Sequence, residues 1–121
     1  MPIRTVSLRK GGTKPEPDET IVFIARPSLL QNDKPLRYEA ERDEAIDEHE
    51  IRLRELYKSN WAVRKEIDSL AARVRAGEKI ALQCWCAPCR CHGDNIIKLI
   101  NEINAAFYAT RKRRVIQEEE M

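Results

Sequence analysis

Between Gln83 and Asp94 the chain reads QCWCAPCRCHGD, and all four of its cysteines, Cys84, Cys86, Cys89 and Cys91, lie there. His92, one of two histidines, follows at once. Thiolates and imidazole are the donors that zinc binds tetrahedrally, so Cys84, Cys86, Cys91 and His92 suffice for one zinc ion, with Cys89 as a substitute. Four cysteines also suit an iron–sulfur cluster, but the spacing matches none of the common ligand runs. The same residues support a second chemistry. A helix N-terminus stabilises thiolates, and Arg90 or His92 beside it lowers a thiol pKa further, as a nucleophilic cysteine requires. The third reading is structural: small buried cysteines close a turn, with His92 hydrogen-bonded beneath it. Gly93 and Asp94 look like a helix start, a flexible backbone followed by an N-cap aspartate. Backbone N–H groups at such a start attract phosphate-like anions, whereas Asp94 itself opposes them.

These residues need a strand to lead in and a helix to lead out. Lys79–Cys84 supplies an apolar strand, and the periodic stretch from Asp94 to Thr110 supplies the helix. Upstream, the alternation of Ile3 to Leu8 predicts a first strand, and Arg9–Glu19, with two glycines and two prolines, predicts a loop. Thr20–Ala25, reading TIVFIA, is a continuous apolar run that reads as a buried central strand, ended by Arg26 and Pro27. A helix beginning near 36–41 carries Ala45, Ile46, His49, Leu53, Leu56 and Tyr57 on one face, with alternating charges on the other. A second helix, Trp61–Ala76, carries Val63, Ile67, Leu70, Ala71 and Val74, and Gly77 is its natural C-cap. On this reading His49 is a packed histidine, Arg42 one charge on a solvated face, and Trp85 core in preference to a stacking platform for a base. The end of the chain, RKRRVIQEEEM over 111–121, reads as frayed or as a helical extension.

The order β, β, α, α, β, α makes the second and third strands a long crossover pair. Such a connection implies parallel strands with their C-terminal ends on one edge. Arg26 leaves one of those ends and the cysteine cluster leaves the other, so the two share a crevice of the kind in which α/β sheets bind ligands. Arg26 is then the best cation for an anion held at Gly93. The fold class expected is a single α/β domain over 1–110, a small, mainly parallel, Rossmann-like sheet flanked by helices, with a charged tail over 111–121.

The chain has 121 residues and a net charge of +2, too small to argue for nucleic acid from charge alone. No apolar run approaches the roughly 18 residues of a membrane span. The N-terminus lacks the apolar core of a signal peptide, which predicts a cytoplasmic protein with reduced thiols.

The combination of F-I-A-R-P-S at 23–28 and C-W-C-A-P-C-R-C-H-G-D at 84–94 resembles the DUF4326 family, small proteins of unknown function common in phages and bacteria. The resemblance covers roughly residues 20 to 105. Its pattern aligns with Ile24, Arg26, Ser28, Asn32, Arg42, Ile46, Cys84, Cys86, Pro88, Cys91, His92, Gly93 and Asp94. It implies a ligand set of Arg26, Ser28, Asn32, Arg42, Gly93 and Asp94, raises Arg42 above its bland reading and makes Cys89 a spare. Ala25 stands where the family usually has Gly, and Gln31-Asn32-Asp33 replaces its Gly-Asn-Pro loop. The resemblance supplies no activity. From the crevice, the expected function is binding, and in one version processing, of a phosphorylated nucleotide-like ligand beside a zinc or thiol centre. The competing class is a non-enzymatic, zinc-stapled module that binds a host protein or nucleic acid.

Overall fold

The structure, a computed structural model, describes residues 2–25, 28–32, 39–85 and 90–120, with side chains through residue 112. Strands β1 (Ile3–Ser7), β2 (Thr20–Phe23) and β3 (Ile80–Cys84) form a parallel sheet of order β1-β3-β2. Helix α1 (Arg42–Ser59), preceded by a 3-10 turn over Glu39–Glu41, and helix α2 (Trp61–Arg75) lie between β2 and β3. Helix α3 (His92–Glu120) packs on α1, α2 and β1. The chain is an α/β protein with a small parallel sheet and three helices among its described residues, a Rossmann-like arrangement.

The helices form where the apolar spacing demands a buried stripe. Ala45, Ile46, His49 and Leu53 are buried on α1, and Val63, Ile67, Leu70 and Ala71 on α2. Asn60 separates the two helices: its backbone is extended, and its side chain accepts from the Val63 N–H, an N-cap for α2. Gly77 ends α2 with φ +90°, a conformation that costs glycine little. The stripes meet Ile3, Ile80, Leu82, Cys84, Ile96 and Ile100 in one core.

One expectation is overturned. Thr20–Ala25 does not hold the central strand. β3 is central, β2 is an edge strand, and Ile21 and Phe23 are 49% and 41% exposed. The buried members of the run, Ile24 and Ala25, lie just past the C-terminal end of the strand. The parallel pairing of β2 with β3 is as expected, with Thr20 opposite Ile80 and Phe23 opposite Gln83. The last helix continues to Glu120, so the chain end extends α3.

Candidate functional site

The C-terminal ends of the strands are tied to the start of α3 by buried contacts. Cys84, the last residue of β3, and Cys91, just before α3, are fully buried with their sulfurs 3.4 Å apart. The Cys84 sulfur also lies 3.7 Å from the Val6 carbonyl, to which its thiol donates. His92 Nε2 lies 2.7 Å from the carbonyl of Ile24 at the end of β2. A carbonyl only accepts, so Nε2 carries the hydrogen. Burial lowers the His92 pKa, against the opposing effects of the Ile24 bond and the Asp94 charge, so the ring is neutral with its lone pair on Nδ1.

Behind His92 lies a second buried imidazole. His49 stands edge-on to it, ring centres 5.1 Å apart. The Asn95 side-chain nitrogen sits 2.8 Å from the Ile46 carbonyl and 3.0 Å from His49 Nδ1. The carbonyl fixes the amide orientation, and the amide in turn makes His49 Nδ1 an acceptor. His49 is a packed histidine, as its place on the apolar face of α1 implies, whereas Asn95 is not among the residues singled out from sequence. The signal was available, since Asn95 falls between Cys91 and Leu99 at four-residue spacing on the buried stripe of α3.

The first turn of α3 is pressed onto the sheet. A Cβ on Gly93 would come within 2.6 Å of Thr5 Cγ2, 3.0 Å of Ile24 Cδ1 and 3.3 Å of the Cys91 sulfur. Glycine is thus required here by close helix–strand packing. Asp94 is not the N-cap expected from sequence. It lies inside the first turn and reaches back to accept the Cys91 N–H at 3.0 Å, one half of a capping box.

Of the other predicted ligand residues, Arg42 is mostly enclosed, its side chain 13% exposed. Its guanidinium grips the Glu39 carboxylate at 2.6 and 2.8 Å and donates to the Arg90 carbonyl at 2.8 Å, which brings α1 to the cluster. Arg90 answers with ion pairs to Asp43 and Asp47 on α1. The Arg42 guanidinium holds the Glu39 carboxyl below its usual range. Ser28 forms a turn with Gln31, and its buried Oγ has no hydrogen-bond partner among the described residues. Asn32 is half-buried in the segment that follows. Arg26, Cys86, Pro88 and Cys89 lie outside the described residues. Among the described residues, no three Cys, His, Asp or Glu side chains come together as a set that could hold a metal. Nor does any helix among them have the length and apolarity to cross a membrane.

Trp85 corrects another expectation. It is 55% exposed and is not core.

Comparison with known proteins gives one match. Residues 6–102 fit the family model described as "Domain of unknown function (DUF4326)". No curated protein and no solved structure matches the chain.

Proposed function

This chain belongs to the DUF4326 family, and we propose that it binds a phosphorylated, nucleotide-like ligand at the C-terminal edge of its sheet, over a thiolate-held zinc that shapes the site without reacting. The observation that carries the reading is the convergence on that edge: Cys84 at the end of β3, Cys91 just before α3, His92 at its start, and the Ile24 carbonyl just past β2. Parallel α/β sheets bind ligands at this edge because strand ends, loops and helix N-termini meet there.

Zinc is supported by the sulfur pair. Two thiolates on one tetrahedral zinc, at about 2.3 Å each, stand about 3.8 Å apart, close to the 3.4 Å of Cys84 and Cys91. Cys86 and the Nδ1 lone pair of His92 are the further donors in this proposal. The complete burial of both sulfurs favours a closed, structural centre over an open catalytic one. Phosphate recognition is supported by the Arg42 fork. It already holds an anion bidentately, and that anion is the carboxylate of Glu39, whose side chain is 73% exposed and readily exchanged. Arg26, two residues past Ile24, is the second cation in the proposal, and the Ser28 hydroxyl offers a donor.

Two measurements test the reading. Elemental analysis of protein purified without nickel should find about one zinc per chain, depleted by Cys91→Ser and retained by Cys89→Ser. A thermal-shift panel of nucleoside phosphates should contain at least one that raises Tm, and Arg26→Ala should abolish that rise while leaving the unliganded Tm nearly unchanged. Metal-free folded protein would remove the zinc from the proposal, and a panel without any stabilising member would remove the ligand.

A further inference from the structure

Trp85 stands directly after the central strand, on the edge where the ligand is placed, and more than half of its surface faces solvent. A tryptophan side chain offers some 150–250 Å² for burial, so leaving it in water forgoes one of the largest single contributions a residue can make to a core. The backbone that carries it is nonetheless held firmly. Ser7, 2% exposed at the end of β1, donates its hydroxyl to the Trp85 carbonyl at 3.3 Å and accepts the Arg9 N–H at 3.0 Å. One residue earlier, the Cys84 carbonyl accepts the Leu8 N–H at 2.7 Å. A large flat ring on a fixed backbone, open on its surface, is what a stacking platform requires, because little freedom is lost when a ligand settles on it.

The second tryptophan sharpens the contrast. Trp61 is 74% exposed, but it opens α2, and Lys65 Nζ sits 4.8 Å from the centre of its ring. Phe107 likewise carries the Arg75 guanidinium at 4.1 Å. Among the described residues no ring or cation stacks on Trp85.

We propose that Trp85 is the specificity residue of this site: its exposed ring stacks on the heterocyclic base of the ligand, so that the protein selects phosphates carrying an aromatic base over sugar phosphates or inorganic phosphate. The inference rests on the ligand reading above and names the part of the ligand which that reading leaves open.

The test uses the full chain with Trp61→Phe, so that Trp85 is the sole tryptophan. The probes are the four common nucleoside 5′-monophosphates, ribose 5-phosphate and inorganic phosphate. At least one nucleotide should quench Trp85 fluorescence. Trp85→Ala should weaken binding of that nucleotide, read by calorimetry, about ten- to a hundred-fold. It should leave ribose 5-phosphate binding unchanged, and Trp85→Phe should recover part of the loss. If Trp85→Ala weakens base-bearing and base-free probes equally, or neither, the stacking role falls and the phosphate site stands. If no probe binds the parent protein, both fall.

Discussion

A single hydrogen atom on Gly93 decides how closely α3 can approach the sheet. Replacing it with a methyl group puts a carbon 2.6 Å from Thr5 Cγ2, a separation that real atoms do not sustain, and 3.0 Å from Ile24 Cδ1, a tight contact. Thr5 is β-branched and anchored in β1, so it has little room to yield. Alanine would improve helix propensity by close to 1 kcal/mol. Overpacking of about 1–3 kcal/mol outweighs that gain. Gly93→Ala should therefore lower stability by about 1–2 kcal/mol in urea unfolding. Adding Thr5→Ser, which removes the offending methyl, should restore part of the loss as a coupled pair. An additive double mutant would mean that the clash is relieved elsewhere. The glycine of the HGD motif thus owes its identity to packing, whatever its N–H also binds.

Among the elements, the loop over residues 8–19 has no regular structure and is held by side chains, Lys79 paired with Asp18 at 2.6 Å and Arg4 with Glu19. Arg4 on β1 donates from Nε and Nη2 to the Glu19 carboxylate at 2.8 and 2.6 Å, and the same carboxylate accepts the Glu16 N–H at 2.7 Å. These bonds, led by Arg4, lower the Glu19 pKa from 4.5 to about 2. A carboxyl depressed in the folded state stabilises it above the unfolded pKa and loses that effect as pH falls through the folded one. The Glu19 contribution is therefore complete above about pH 4.5 and fades toward pH 2. Because Arg4 is 37% exposed, screening limits the contribution to about 1 kcal/mol. Glu19→Gln should lower the urea midpoint at pH 7, and the gap to the parent should close by about pH 2; a gap independent of pH would assign the effect to packing. This pair illustrates what the sequence could and could not convey. Element types were legible because α1, α2 and β3 each carry a clear apolar period. The place of β2 was not: TIVFIA is as apolar as a central strand, and strand order depends on pairings between residues some 60 positions apart, Thr20 with Ile80 among them. The cluster was legible from residue type and spacing. The Asn95–His49–His92 arrangement and the exposure of Trp85 were not, since both depend on how α1 and α3 face the sheet.

At the scale of the whole molecule, the described side chains of α3 stop packing before the helix stops. The core draws on α3 through Ile100 and the partly buried Ile103, and the last described ties from α2 are those of Arg75, to Asn104 at 2.7 Å and to the Phe107 ring. From Ala105 to Lys112 every residue of α3 is exposed. The family match ends at residue 102, close to where the packing ends. A helical segment without a tertiary partner is marginal in water at this length, because propagation alone barely offsets the nucleation and entropy costs. The segment past Thr110 should therefore add helical signal without adding stability. A chain ended after Thr110 should keep the unfolding free energy of the full chain within about 0.5 kcal/mol and unfold with the same denaturant dependence. Its far-UV circular dichroism should lose about one third of the α3 contribution, in proportion to the ten helical residues removed of 29. Any nucleotide-induced thermal shift should be retained, because the edge proposed to bind the ligand lies at the opposite end of α3. A truncated chain that unfolds at markedly lower urea would show that the extension packs against the body or against another copy, and the boundary of the folded unit would move to the end of the helix.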